Sequence, residues 1–382
     1  MPVALVCPDK FRGTLTAPGA AEALARGLET AEFDRRRFDE VRRLPLADGG
    51  EGTLDSLLAS QGGSRRHATV TGPLGDLVEA EWGLLPDGTG VVESARASGL
   101  AIVDGPNDPL AATSRGTGEL IRAAVRGGAK RILVAVGGSA MTDGGLGAVD
   151  ALGWSLKGLQ VTVACDVTTP FLDAARVFGP QKGATSAQVA LLTRRLERLA
   201  EVYRQRTGCD VLALEHAGAA GGLAGGLAAL GARLEPGFEV VARAAGFEAA
   251  LDGVDLVLTG EGRFDRTSLD GKVTGGVLEW AESEGVPLRA VVAGQVADEL
   301  KTVAAGEVRA QTTAGETAPQ PPAAAPGDEA SEDLDALKHV LVLSLVDRVW
   351  QAGEAWSRAG LLAEEAAVEV GRWALERLAR PT

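Results

Sequence analysis

Six stretches of the chain are continuous runs of Val, Leu, Ile and Ala that stop at a polar, glycine-bearing turn. They are VALVCPD (Val3–Asp9), RILVAVGGS (Arg131–Ser139), VTVACDV (Val161–Val167), DLVLTGEG (Asp255–Gly262), RAVVAGQ (Arg289–Gln295) and HVLVLSLVD (His339–Asp347). Unbroken apolar runs of this length predict parallel strands covered on both faces, because a half-exposed strand would alternate. Between them, apolar positions recur with helical spacing at Ala20–Thr30, Gly116–Arg126, Ser186–Arg204, Val273–Glu284 and Gly360–Leu378. Strand and helix in alternation predict an α/β fold with right-handed crossovers. His67–Val103 departs from this pattern: residues alternate, and Pro73-Leu74-Gly75 and Pro86-Asp87-Gly88 punctuate them as turns. That predicts antiparallel strands and the start of a second domain.

The chain's 382 residues exceed what one core usually organises. We therefore expect a discontinuous, Rossmann/flavodoxin-like α/β domain with a mostly parallel sheet from residues 1–69 and 245–382. A mixed α/β domain spanning 70–244 is inserted into it. Thr312–Asp333, rich in Pro, Ala and acid, reads as an exposed loop or flexible insertion.

Composition narrows the function. A net charge of −14 argues against a nucleic-acid partner, and aromatic residues at 4% offer little surface for stacking bases. Three scattered cysteines (Cys7, Cys165, Cys209) fit a reduced compartment. The N-terminal apolar run is too short for a signal peptide, and Ala217–Ala232 is too short and glycine-broken to span a bilayer. A cytoplasmic protein without membrane attachment is expected, as monomer or homodimer. The chain has no clustered His/Cys set of the kind zinc needs, and its three histidines (His67, His216, His339) are scattered; only His216, beside a glycine-rich run, is a candidate by position.

Glycine numbers 51, about twice the usual share of roughly 7%. Much of it lies in turns that also carry acids: LPLADGGEGT (Leu44–Thr53), GGSAMTDGG (Gly137–Gly145) and GEGRFD (Gly260–Asp265). Asp9, Ser139, Asp143, Asp166, Glu261 and Asp265 fall at or just beyond strand ends, where open α/β sheets bind ligands. Glycine there lets backbone N–H groups come close to a ligand. GGSAMTDGG equally suits a strand-to-helix turn with a side-chain cap, and both readings stay open. GEGRFDRTSLDGKV gathers Glu261, Arg263, Asp265, Ser268 and Lys272, a mixture suited to a metal-bridged phosphate. Only seven of the 38 basic residues are lysine, yet Lys10, Lys182 and Lys272 all sit in or beside these turns. Neither the Walker P-loop pattern nor the protein-kinase motif set is present, nor is G-x-S-x-G.

Taken in order, CPDKFRGTL, LPLADGGEGT, TVTGPLG, ESARASGL, GGSAMTDGG, VACDV, VFGPQKGAT, AGAAGGLAGGL and GEGRFDRTSLDGK resemble the type 1 glycerate kinases from about Val3 to Gln295. The resemblance implies two α/β domains with the active site in the cleft between them. It further implies ATP- and Mg²⁺-dependent phosphorylation of D-glycerate to 2-phosphoglycerate, with 3-phosphoglycerate as the alternative product. On it, Asp48 is the leading general base and Asp166 the second. Lys10, Arg12, Gly49, Gly50, Glu51, Lys182 and Lys272 become substrate- or phosphate-binding candidates. Gly137, Gly138, Ser139, Thr142, Asp143 and Gly260 become nucleotide-binding candidates, and Glu261 and Asp265 the metal ligands. Gly179 and Gln181 lie nearby without an assigned role. The chain departs from the family in four places. Arg12 stands where a lysine is usual, and Thr267-Ser268 replaces Gln-Thr. Only SLKGLQ separates Trp154 from the strand that follows, where relatives carry a few dozen residues, and PFLDAARVFG runs straight through where they carry a few more glycine-containing residues. A kinase for another hydroxy acid, a phosphatase, or a non-catalytic glycerate or nucleotide sensor are the alternatives this shortening raises.

Overall fold

The computed structural model describes residues 1–269, 271–300, 337, 339–349 and 352–380. The Thr312–Asp333 insertion lies outside the described residues. In chain order the strands are β1 (Val3–Val6), β2 (Glu40–Arg43), β3 (Ser64–Thr71), β4 (Leu77–Leu84), β5 (Thr89–Glu93) and β6 (Arg131–Ala135). They continue as β7 (Gln160–Cys165), β8 (Arg233–Pro236), β9 (Leu256–Phe264), β10 (Leu288–Val296) and β11 (Val340–Ser344). The helices are α1 (Ala17–Thr30), α2 (Thr53–Gln61), α3 (Ala95–Ser98), α4 (Arg115–Arg126), α5 (Leu146–Ala151), α6 (Ala174–Phe178) and α7 (Ser186–Thr207). After them come α8 (Ala219–Ala229), α9 (Gly237–Ala245), α10 (Phe247–Ala250), α11 (Val273–Ser283), α12 (Ala352–Ser357) and α13 (Ala359–Ala379). No helix among the described residues is long and apolar enough to cross a membrane.

The chain divides into two compact units, Met1–Pro45 with Gly246–Thr382, and Leu46–Ala245. The first carries a five-stranded sheet in the order β11-β10-β9-β1-β2, with every pair parallel. Counted within the unit this is 2-1-3-4-5, the flavodoxin order, whose switch point lies between β1 and β9. Alternate residues of the inner strands bury into opposite faces. Ala290 and Val292 join Leu24, Leu28, Leu362 and Val370 on one face. Val291 and Ala293 join Leu278, Phe264 and Val340 on the other. The run DLVLTGEG was expected to end in a loop at Gly260. Instead β9 continues through Phe264, because β10 keeps pairing with it as far as Gln295↔Arg263 and Val296↔Phe264. Gly260 and Glu261 are therefore strand residues.

The second unit holds a six-stranded sheet in the order β3-β4-β5-β6-β7-β8. β3, β4 and β5 form an antiparallel meander. β5 through β8 are parallel. Its start differs from the expected residue 70. β3 pairs with β4 along its whole length, and the residues between Leu46 and β3 pack with this unit. The antiparallel expectation for His67–Val103 stops at Glu93, after which the chain turns into α3. One core joins Val92, Val134 and Val163 to Leu120 and Ile121 of α4 and Leu223 and Leu227 of α8. Another gathers Val149, Phe171, Leu196 and Tyr203 around α7.

Candidate functional site

In the Leu46–Ala245 unit, the turn 48–53 shows what its glycines are for. Gly49 and Gly52 have φ of +85° and +95°, which side chains resist. A Cβ on Gly49 would lie 2.8 Å from Ala164 Cβ and 2.9 Å from Gly237 Cα. A Cβ on Gly237 would overlap the Asp48 carbonyl oxygen, at 1.9 Å, and one on Gly137 would sit 2.9 Å from Gly50 Cα. The turn thus lies backbone against backbone on the segments that leave β6, β7 and β8. Asp48 is half-buried at this junction, and its Oδ1 accepts the Gly50 N–H at 3.1 Å. Glu51 and Asp166 are exposed, Asp166 directly after β7.

Glu93, which sequence reasoning did not single out, fixes this turn from below. It is 1% exposed, and its Oε1 accepts from Gly52 N at 2.9 Å and Leu54 N at 2.8 Å. These are orphan donors at the start of α2, whose N-cap is a glycine without a side chain. Its Oε2 accepts from Arg96 Nε at 2.8 Å, and Arg96 also reaches Glu81 and Asp55. Its sequence signals were an acid ending an alternating strand and its place at the head of the ESARASGL block.

The Gly137–Gly145 segment divides its polar residues between two tasks. Ser139 is buried and accepts a hydrogen bond from Lys182 Nζ at 2.9 Å, while the same ammonium donates to the Met141 carbonyl at 2.5 Å. Lys182 is 3% exposed and makes no ion pair among the described residues. Burial pushes its pKa down to about 7, against the opposing pull of the Asp143 charge. Asn107 adds a clamp, donating to the carbonyls of Ala140 and Lys182. Asp143 is occupied differently. Its Oδ2 accepts from the Ser114 N–H and hydroxyl, both at 2.8 Å, and from Gly147 N, while Oδ1 accepts from Gly145 N. That capping arrangement ties the starts of α4 and α5 together. Thr142 is 2% exposed and its buried hydroxyl has no hydrogen-bond partner among the described residues. Gly138 is exposed, with φ +63°. His216, at φ +65°, holds the Val167 carbonyl through Nδ1 at 2.7 Å, next to Asp166.

In the other unit, candidate residues meet at the switch point of the sheet. Asp9 follows β1 and its N–H donates to the Gly260 carbonyl at 2.8 Å. The chain then folds back between Phe11 and Leu15, leaving Arg12 exposed at the tip. This tip runs over β9: a Cβ on Gly262 would lie 3.0 Å from Arg12 N. Glu261 is mostly buried, and burial raises its pKa to about 7. The Thr274 and Ser268 hydroxyls and the Lys272 charge oppose that rise, and the Asp9 carboxylate adds to it. Even so, Glu261 Oε1 and Thr274 Oγ1 are buried without a full hydrogen bond. Lys272, the N-cap residue of α11, donates to Thr267 Oγ1 at 2.8 Å. Lys10 is half-buried beside Asp9.

Among the described residues, no group of three or more His, Cys, Asp or Glu is placed to hold a metal ion. Mg²⁺ needs fewer, since it commonly takes one or two carboxylates and fills its shell with water and phosphate. An orphaned buried carboxylate oxygen on Glu261, electrostatically coupled to Asp9, fits that pattern. Asp265 fits it less well. Its Oδ1 accepts from Thr267 N and Oγ1 and its Oδ2 from Arg263, a local cap.

A family model described as the glycerate kinase family matches residues 4–158 and 154–345. The chain is 40% identical over 335 residues to the glycerate 2-kinase of Escherichia coli K12, covering 78% of this chain and 87% of that protein. It is 38% identical over 335 residues to the glycerate kinase of Bacillus subtilis 168, covering 78% and 86%. A crystal structure that carries the name glycerate kinase 2, from Salmonella typhimurium LT2, superposes with a TM-score of 0.77 at 32% identity. That alignment covers 99% of this chain and all of the other.

Proposed function

The chain belongs to the glycerate kinase family, and we propose that it transfers the γ-phosphoryl group of ATP to D-glycerate, giving 2-phosphoglycerate and ADP. Its relatives' names support a phosphotransferase acting on glycerate, and the Escherichia coli relative's name favours the 2-position. The observation that carries the catalytic reading is Asp48, a carboxylate at the carboxyl ends of β6 and β7 on a turn made rigid by glycine contacts.

In this reading Asp48 accepts the proton of the glycerate hydroxyl as its oxygen bonds to the γ-phosphorus. The bond from that phosphorus to the β,γ-bridging oxygen breaks, and ADP leaves with the electron pair. Such a transfer is chiefly positioning and charge neutralisation. Lys10, Arg12 and Lys272 supply cationic donors for carboxylate and phosphate oxygens. Glu261, with Asp9, would hold Mg²⁺, which when bound neutralises phosphate charge. Lys182 holds Ser139 and the Met141 carbonyl in place, so that Gly137 and Gly138 present their backbone to the nucleotide.

The test is ATP-dependent turnover of D-glycerate by the purified protein with Mg²⁺, followed by phosphorus NMR, which separates the 2- and 3-phosphates. A 2-phosphate signal is expected, and Asp48→Asn should lower kcat by at least about 10²-fold. A 3-phosphate product would overturn the regiochemistry, and near-normal kcat in Asp48→Asn would remove Asp48 as the base. Turnover of another hydroxy acid in preference to glycerate would replace the substrate.

A further inference from the structure

The Leu46–Ala245 unit contains a cavity of about 570 Å³ that none of the proposed chemistry uses, although Thr142 and Asp143 border it. One wall is a face of α7, with Leu192, Leu196 and Leu199 spaced to point the same way. The facing wall includes Leu146 and Trp154. Its volume lies within the roughly 300–1,000 Å³ range of small-molecule sites. The apolar lining calls for an apolar or aromatic body, and Leu146, 36% exposed, opens it to solvent.

The charge at its edge is the decisive observation. Arg195, Arg198 and Arg206 all line the cavity from α7, and none makes an ion pair among the described residues. Arg195 donates to the Leu110 carbonyl, and the Arg206 guanidinium lies 3.5 Å above the Trp154 ring. The carboxylates that border the cavity are already engaged. Asp143 accepts from Ser114, Gly145 and Gly147, and Asp150 accepts from Trp154 Nε1 at 2.6 Å. In a chain of net charge −14, three arginines against two hydrogen-bonded carboxylates still leave this edge with a net positive charge. Independently, Thr142 lines the cavity, is 2% exposed, and its hydroxyl is unpaired among the described residues. Trp154 is held at φ +60°, a conformation costly for a bulky residue, at the point where the two family matches overlap.

We propose that this cavity is a binding site for a small amphipathic anion, with an apolar body between α5 and α7 and a single carboxylate, sulfonate or phosphate group on the α7 arginines. Its occupant reaches the Gly137–Gly145 segment through Thr142, so occupancy acts on that segment from outside the catalytic groups. The proposal does not depend on the kinase reading, because its test is binding.

The probe is 1-anilinonaphthalene-8-sulfonate, titrated into the full chain and followed by its fluorescence, with decanoate and decanol as competitors. One saturable site is expected, displaced by decanoate and about threefold less well by decanol, the equivalent of one exposed charge contact. Arg198→Glu, at an exposed position with no ion-pair partner among the described residues, should weaken the probe by at least about tenfold. Leu146→Asp should weaken it similarly from the opposite wall. Several equivalent weak sites, or an unchanged affinity in both variants, would overturn the proposal. So would equal displacement by decanol, or displacement by ATP in parallel with its own binding, since the cavity would then be a plain apolar pocket or the nucleotide's own base pocket.

Discussion

Lys182 is a buried ammonium held by a hydroxyl and a carbonyl instead of a carboxylate. Burial lowers its pKa to about 7, so the folded protein sheds this proton at lower pH than the unfolded chain does. Between about pH 7 and the ordinary lysine value of 10.5 the unfolded state binds the extra proton. Stability therefore rises with pH across that window, with a slope of up to about 1.4 kcal/mol per pH unit. Below pH 7 both states are protonated and the cost of burying the charge is constant. The Lys182→Met variant lacks this term. Wild type should gain on it steadily as urea midpoints are measured from pH 7 to 9.5, and a constant difference would mean that Lys182 stays charged. Taking the difference cancels the titration of the other lysines and thiols. The rarity of lysine in this chain marked Lys182 as a candidate. Its partners could not be read, because Ser139 and Met141 lie some forty residues away and meet it only through the fold. Asp143 shows the converse: an acid in a glycine turn suggested a ligand contact, and the structure gives its oxygens to the starts of two helices.

Among the elements, the inner strands were legible because both their faces are buried. Val3–Val6, Arg131–Ala135, Gln160–Cys165, Leu256–Phe264 and Leu288–Val296 each answer to an apolar run, as does the edge strand Val340–Ser344. The edge strands β2 and β8 were not legible. EVRR at β2 and RLEP at β8 are short and largely polar, as strands with one unpaired side often are. Nor was α2 legible, since a glycine N-cap and a weakly amphipathic sequence leave no local signal; its start is fixed by Glu93, distant in sequence. That dependence is testable. Glu93→Ala leaves two helix N–H groups orphaned and the Arg96 guanidinium short of its buried partner. It should lower the urea midpoint by the equivalent of about 3 kcal/mol at unchanged m. Glu93→Gln, which keeps an acceptor for the α2 donors, should recover part of the loss. If Glu93→Ala were as stable as wild type, Asp55 and the Gly50 carbonyl would suffice to anchor the turn.

For the whole molecule, the mostly parallel α/β sheet of one unit was foreseeable from run-and-helix alternation, whereas its strand order and the extent of the other unit were not. The boundary at Leu46 is set by the pairing of β3 with β4 and by glycine contacts of the 48–53 turn, and neither has a periodic signature. Each unit has its own buried core, so bound substrates should register as stability of the unit that holds them. A ligand at one hundred times its Kd adds about 2.7 kcal/mol to the state that binds it. For a unit of roughly 200 residues that corresponds to a rise of about 5–10 °C in Tm. The Asp48→Asn variant makes this measurable with glycerate, ATP and Mg²⁺ all present, because turnover is then too slow to consume them. If Asp48 acts as a base, the carboxylate is needed for the transfer and not for binding, so the variant should keep nearly the full wild-type rise in Tm measured with each substrate alone. If Asp48 instead anchors glycerate, the glycerate-dependent rise should collapse while the ATP-dependent rise persists. Calorimetry with each substrate separately and with both together distinguishes the two roles at a single position.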